Sequence, residues 1–214
     1  MSRYQTQSSE AQYQPGSGEQ VLKNHIGVTE PTEMDDIEAN LLSKLYERVF
    51  TGGHFPRQLR FGTLASWHRQ WLGNVYPWAG QVRNVELSKG GFRFTSPKQI
   101  GPCLRQFESA FLNQYPEVSV MPRATLIRYL AQSHVELILI HPFREGNGRL
   151  SRLLIDVLCQ QAGLGLLDYR LWEENKDFYV AAIQAGVGHD YQHMERLIDD
   201  ILPRHPLPIS IGER

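Results

Sequence analysis

Cysteine is scarce in this chain: there are 2 in 214 residues. Cys103 and Cys159 fall in segments of helical character without C-x-x-C spacing, so no disulfide framework is implied and both thiols read as buried apolar groups. An excess of one charge is also missing. Lys and Arg total 22 against 23 Asp and Glu, a formal charge of -1, so nothing global points to nucleic acid or an anionic membrane as partner, and phosphate recognition would have to be local. No stretch approaches the ~20 apolar residues that span a bilayer. The opening "MSRYQTQSSE" lacks a charged segment followed by an apolar one. The expectation is a soluble, cytoplasmic protein, although a secretion route that reads no cleavable N-terminal signal would leave no mark here. At 24.6 kDa the chain suits one well-filled core rather than two catalytic domains.

What is present is mostly helical pattern. Residues 1–20 are rich in Gln, Ser and Gly without hydrophobic period and read as a polar arm. The domain is expected over 21–204, with 205–214 as a tail and no internal repeat. Ile37, Leu41, Leu42 and Leu45 mark one helical face, and Leu59, Leu64, Trp67 and Trp71 another, with Gly73 as its stop. Further helices are expected in 97–115, in 123–140, in 147–163, in 175–186 and in 190–202. The segment 123–140 is apolar on so many sides that it should run through the centre of the domain.

One stretch breaks the pattern. In "VRNVELSKGGFRFTS", residues 82–96, Val85 and Leu87 alternate with polar neighbours, Ser88-Lys89-Gly90-Gly91 interrupts, and Phe92 and Phe94 alternate again. This predicts a short β-hairpin whose outer edge is free to pair with another extended chain.

The chemistry is concentrated in "HPFREGNGRLSR", residues 141–152. Pro142 disfavours helical geometry at His141, which places the imidazole at a helix-to-loop corner. Phe143 is apolar in a polar loop and should pin that loop into the core. Gly146 and Gly148 allow backbone angles denied to other residues, so successive N–H groups can point into one hollow. The helix that follows offers unsatisfied first-turn N–H groups and its dipole, a ready anion site. Leu150, Leu153, Leu154, Val157 and Leu158 share its core face, while Arg149 and Arg152, three apart, share another from which both can flank one anion. Glu145 would be repelled by a phosphate unless a divalent cation, most naturally Mg²⁺, lay between them. His141, with an ordinary pKa of ~6.5, suits proton transfer near neutral pH. Together these parts describe phosphate-centred group transfer with a base that activates an external nucleophile.

At every specified position this stretch resembles the Fic-family signature HPFx(D/E)GNGRxxR. The resemblance extends to "YPWAGQVRNVELSKGGFRF" as the family's flap, "VLKNHIGVTEP" as its opening and "YVAAIQAGVGHDYQHMERLI" as its closing helices. It implies an all-α Fic domain of the Fido superfamily, with a β-hairpin flap, that transfers AMP from ATP to a Ser, Thr or Tyr hydroxyl of a target protein and releases pyrophosphate. By position, His141 would be the general base and Glu145 the Mg²⁺ ligand. Gly146, Asn147 and Gly148 would form the anion nest, and Arg149 and Arg152 would contact phosphates. The flap would register the target, with Lys89 and Gly90 near the nucleotide, and Tyr179 would line the adenine pocket.

Doc-type kinases of the same superfamily carry Lys where this chain has Gly148, so Gly148 favours nucleotidyl over phosphoryl transfer. A catalytically silent nucleotide-binding module would leave His141 and Glu145 without purpose. A metal site at His189 and His193, four apart on an expected helix, lacks further ligands at sensible spacing, and these read as surface histidines.

Many Fic proteins are silenced by a glutamate that pairs with the second motif arginine, here Arg152, carried on (S/T)xxxE(G/N). Thr6 to Glu10, Thr29 to Glu33 and Ser43 to Glu47 match five positions but are followed by Ala11, Met34 and Arg48. "DDIEAN", residues 35–40, fails because Met34 stands four before Glu38. The resemblance therefore implies an inhibitory glutamate from a separate small antitoxin, with this chain as the toxin, or a secreted effector role that the sequence does not distinguish from it.

Overall fold

The computed structural model describes residues 9–51 and 56–204. Residues 1–8 and the expected tail 205–214 lie outside the described residues. Among the described residues eight α-helices surround one hydrophobic core: α1 Pro31–Thr51, α2 Phe61–Leu72, α3 Pro97–Ala110, α4 Arg123–Ile140, α5 Asn147–Gln161, α6 Arg170–Glu174, α7 Lys176–Ala185 and α8 Gln192–Ile201. The expected all-α class with one short β-hairpin holds.

Helix α4 is the axis, as its apolar circumference predicts. Leu130, Ala131, Val135 and Leu137 are buried within it, and it packs on α3, α5, α7 and α8. Leu150, Leu153, Leu154, Val157 and Leu158 bury the inner face of α5 against it. Helix α1 covers α2 with Leu45 buried and Ile37, Leu41 and Leu42 half-buried, and α2 in turn packs on α5. The sequence pattern extends α3 too far. The helix ends at Ala110 and the chain continues as a 3₁₀ segment, Leu112–Val120, in which Pro116 has no N–H to donate and Tyr115 is buried. The five-residue α6 is too short to show a hydrophobic period, and the sequence gives no sign of it.

The hairpin is smaller than its pattern suggests. Strand β1, Ser88–Lys89, pairs with β2, Phe92–Arg93, in the register Ser88 with Arg93 and Lys89 with Phe92. Gly90 and Gly91 make the turn with φ of 55° and 78°, the paired positive angles of a type I′ turn. Val85, Leu87, Phe92 and Phe94 are half-buried while their neighbours Glu86, Ser88 and Arg93 are exposed, which is the expected alternation.

The polar stretch expected as an arm is packed on the domain from Ser9 onward. Glu10 is buried, its Oε2 accepts the Asn84 N–H at 2.9 Å, and its carbonyl accepts Arg144 Nε at 2.7 Å. Tyr13 and Leu22 form an isolated antiparallel bridge, and Ser17 donates its hydroxyl to the Gln14 carbonyl at 2.8 Å. Its polar side chains therefore meet backbone groups locally, a use that composition alone does not reveal.

Candidate functional site

The corner expected at His141 is real. Helix α4 ends at Ile140, and His141 takes the left-handed conformation, φ 51° and ψ 60°, which is sparsely populated for a residue with a Cβ. Nδ1 lies 3.0 Å from the Ile138 carbonyl oxygen. A carbonyl can only accept, so the proton sits on Nδ1 and the lone pair on Nε2. Burial holds the imidazole pKa down to about 4, only partly offset by the Ile138 bond, with Arg83 adding to the depression. His141 is therefore neutral, and a proton acceptor, throughout the neutral range.

The loop closes on itself behind the imidazole. Asn147 is buried, with Oδ1 accepting the Phe143 N–H at 2.9 Å and Nδ2 donating to the Phe143 carbonyl at 2.8 Å. Its side chain is thus consumed in holding the loop, and only its backbone N–H is available to a nest. Phe143 is fully buried and stacks on His68, ring centroids 4.1 Å apart and planes within 9°. Gly146 has φ 79°, and a Cβ there would lie 2.7 Å from Trp71 Cζ3, so only glycine fits. The expectation for Gly148 needs correction. It lies inside α5 with no positive φ, and a Cβ there meets nothing within 4 Å. Its value is the open space it leaves in the cavity rather than backbone freedom. The first helical acceptor is Gly146, bonded by the Leu150 N–H at 2.9 Å, so the N–H groups of residues 147–149 have no acceptor within the helix.

Glu145 stands at the rim, with Oε1 accepting the Gly146 N–H at 2.8 Å. Its backbone is held from below by His68, which sequence reading passed over. The Gly80 N–H donates to His68 Nδ1 at 2.8 Å, so Nε2 carries the proton and donates to the Glu145 carbonyl at 3.0 Å.

The two motif arginines do not converge as their spacing suggests. Arg149 Nη2 is bound at 2.6 Å by Glu38, whose buried carboxylate also accepts the Tyr76 hydroxyl at 2.7 Å, and its guanidinium lies over Trp71. Arg152 Nη1 instead meets Glu173 of α6 at 2.9 Å. Glu38, rejected by pattern as a partner of Arg152, is the partner of Arg149. The divergence arises because α1 supplies a buried carboxylate to one arginine and α6 an exposed one to the other.

One cavity of about 960 Å³ gathers most of the predicted residues. His141, Glu145, Asn147, Gly148 and Arg152 line it beside Lys89 and Gly90 of the hairpin, with Tyr179 and Trp172 opposite. Arg149 lines a smaller groove of about 280 Å³ between α1 and α5, which Arg152 also borders. Tyr179 stacks on Trp172 at 5.2 Å and shares a hydrogen bond of 2.8 Å with His134, whose other nitrogen lies 2.9 Å from Ser151 Oγ.

The Fic/DOC family profile matches residues 58–159. A probable protein adenylyltransferase of Sinorhizobium fredii is 27% identical over 171 residues, 80% of this chain and 86% of that protein. The protein adenylyltransferase Fic of Culex quinquefasciatus is 30% identical over 169 residues, 69% of this chain but 32% of its own length. The chain thus spans about a third of that longer relative. Among solved structures, the BepC protein of Bartonella tribocorum with bound AMPPNP superposes with a TM-score of 0.71 at 24% identity, covering 87% of this chain and 93% of that one. A Bartonella quintana Fic domain with bound ADP gives 0.72 at 23% identity, over 91% and 94%. At that identity the likeness speaks for the fold.

Residues 58–159 form a Fic/DOC family domain.

The matched part of this Fic domain runs from before α2 into α5 and includes the hairpin and the whole motif loop. Among the described residues no group of three or more His, Cys, Asp or Glu could cage a metal. A single carboxylate beside unsatisfied N–H groups does fit Mg²⁺ as it is usually held, by one or two carboxylates with substrate phosphates and water, and Glu145 is that carboxylate. His189 and His193 are not on one helix as expected. His189 occupies a left-handed turn, φ 59°, before α8, and His193 is within α8, half-buried against Phe178. The Fic domain also uses residues whose motif context gave no signal, Glu38, His68, Arg83, His134 and Glu173. A lone charged residue in an amphipathic segment looks the same in sequence whether it is solvated or buried.

Proposed function

We propose that this Fic domain is a protein adenylyltransferase that moves AMP from ATP to the hydroxyl of a Ser, Thr or Tyr on a target protein. The observation that carries this reading is the tautomer of His141: its proton is committed to Ile138, which leaves the Nε2 lone pair in a cavity shared with Glu145, Gly148, Arg152 and the hairpin. Relatives named as protein adenylyltransferases support it.

In this reading His141 Nε2 takes the hydroxyl proton as the oxygen attacks the α-phosphorus of ATP. The bond from that phosphorus to the bridging oxygen breaks, and pyrophosphate leaves. The N–H groups at the start of α5 hold phosphate oxygens, and Arg152, once released from Glu173, adds a fork of donors. Glu145 would hold Mg²⁺, which neutralises phosphate charge when bound. Lys89 and Gly90 border the nucleotide from the hairpin, the target's extended segment pairs along the free edge, and Tyr179 with Trp172 forms the adenine wall. Arg149, anchored by Glu38, contributes through the electrostatic field at the helix start, since its guanidinium does not line the main cavity.

Phosphoryl transfer of the Doc type is the second reading, and the open space at Gly148 speaks against it, because that is where those kinases carry Lys. ATP labelled at the α-phosphate should label the target, and ATP labelled at the γ-phosphate should not; the reverse pattern would establish phosphoryl transfer. We further propose that an inhibitory glutamate arrives on a separate antitoxin chain and displaces Glu173 from Arg152. Expression of this chain alone in the cytoplasm of a bacterium should then be harmful, and harmless expression of a demonstrably active enzyme would count against the toxin role.

A further inference from the structure

Arg83 is the only Lys or Arg buried among the described residues, with 1% of its surface exposed; it forms no direct ion pair with a described carboxylate, and Glu86 and Glu10 favour its charge only from a distance. A charge taken out of water without a contacting counter-ion is costly unless its donors are met, and an apolar residue would fill the same volume without that cost. Its hydrogen bonds explain its presence. Nε donates to the His141 carbonyl at 2.6 Å, Nη1 to Val85 at 2.6 Å, and Nη2 to Thr95 at 2.5 Å and Ile140 at 3.4 Å. Its own N–H donates to the Pro142 carbonyl at 2.9 Å.

Every one of these acceptors is a main-chain carbonyl, and they come from three places. Ile140, His141 and Pro142 form the end of α4, where exposed carbonyls carry the negative end of the helix dipole and suit a cation. Val85 leads into β1, and Thr95 follows β2, so both legs of the hairpin are bound to the same planar group. Thr95 is tied to the same helix a second time, its N–H donating to the Leu139 carbonyl at 3.2 Å. The left-handed backbone at His141 is strained unless its surroundings impose it, and Arg83 grips the carbonyl of that residue.

We propose that Arg83 is a positioning residue that locks the hairpin and the backbone of His141 into one body, and so sets the register between a chain docked on the hairpin and the imidazole. The proposal rests on the reading of His141 as the base, but its structural half can be tested without any turnover. Lysine at this position keeps the charge but lacks the planar fork, so it can satisfy only part of the carbonyl set.

The test compares wild type with Arg83→Lys and, where it folds, Arg83→Met. Hydrogen exchange of the hairpin and of residues 139–141 should rise about tenfold or more in Arg83→Lys, while α5 and α8 keep their protection. Transfer to the target should fall by about 10²-fold in kcat, the scale of a misplacement near 1 Å, with ATP affinity measured by titration within about threefold of wild type. Unchanged exchange and turnover in folded Arg83→Lys would overturn the proposal. So would a uniform rise in exchange across all helices, which is the mark of lost stability alone. If wild type proves not to transfer AMP, the exchange result still decides whether Arg83 couples the two elements, so the two readings fail separately.

Discussion

Phe94 lies flat against His141, ring centroids 3.7 Å apart and planes within 16° of parallel. The hairpin's last inward-facing aromatic therefore covers one face of the imidazole, while the Ile138 carbonyl accepts the Nδ1–H in the plane of the ring. Phe94→Ala should lower kcat by on the order of tenfold through loss of this stacking, with ATP affinity preserved, and Phe94→Tyr should retain most of the rate. Steady-state kinetics with nucleotide titration will check both, and equal losses of kcat and ATP affinity would contradict the assignment.

The pH dependence follows from burial. His141 is held to about 4, so its basic form persists well below the ordinary histidine value, and the acid limb of kcat/KM should fall near pH 4–5 rather than at 6.5. A limb at 6.5 would mean that the imidazole is solvated in the working enzyme.

Stability should fall in mild acid, and here buried histidines rather than paired carboxylates drive the loss. His68 and His141 are lowered to about 4 and His134 to about 3, chiefly by burial, so between these values and 6.5 the unfolded chain binds protons that the folded chain refuses. Asp156 opposes this, since burial raises its carboxyl to about 6 and the folded state gains a proton first. Three groups against one leaves a net loss as pH drops from 6 to 4.5, on the order of 1–3 kcal/mol per pH unit. Denaturant unfolding across that window will measure the slope, and a flat profile would contradict it.

The two motif glycines separate stability from function. Gly146→Ala places a methyl against Trp71 in a left-handed backbone and should cost about 1–3 kcal/mol. Gly148→Ala meets no protein atom and should unfold within about 0.5 kcal/mol of wild type. Gly148→Lys should also fold, yet hinder AMP transfer by filling the space it leaves in the cavity. Paired melts and transfer assays will show whether the two positions divide in this way.

Glu38 and Glu173 each bind a motif arginine but differ in burial, with side chains 4% and 64% exposed. Glu38→Gln should destabilise by about 2 kcal/mol, because it weakens a buried network that also holds Tyr76. Glu173→Gln should alter stability by less than about 1 kcal/mol and tighten ATP binding, since Arg152 is freed. Weaker ATP binding in Glu173→Gln would mean that Glu173 assists the nucleotide rather than competing with it.

Much of this was legible in the chain. The period of α4 and α5 is long and unambiguous, and residues 123–140 match α4 end to end. The motif residues are adjacent in sequence, so loop and helix geometry bring them together without long-range information. What was not legible depends on packing across the fold. Arg149 and Arg152 share a helix face, but their separation is decided by Glu38, 111 residues from Arg149, and by Glu173 on a helix too short to show a period. Gly148 resembles Gly146 in sequence, and only the backbone angle and the position of Trp71 tell their roles apart. Arg83 stands in an ordinary polar-looking stretch, and its burial follows from carbonyls that three separate segments bring to it.

The central claim is that His141 activates a target hydroxyl for AMP transfer. The most direct measurement is mass spectrometry of the purified protein with a cell lysate after incubation with ATP and Mg²⁺, beside His141→Ala. A gain of about 329 Da on a target peptide, absent or reduced by ~10²–10⁴-fold in His141→Ala while ATP still binds, is the predicted result. A gain of about 80 Da, or an AMP adduct that His141→Ala forms equally well, would contradict it.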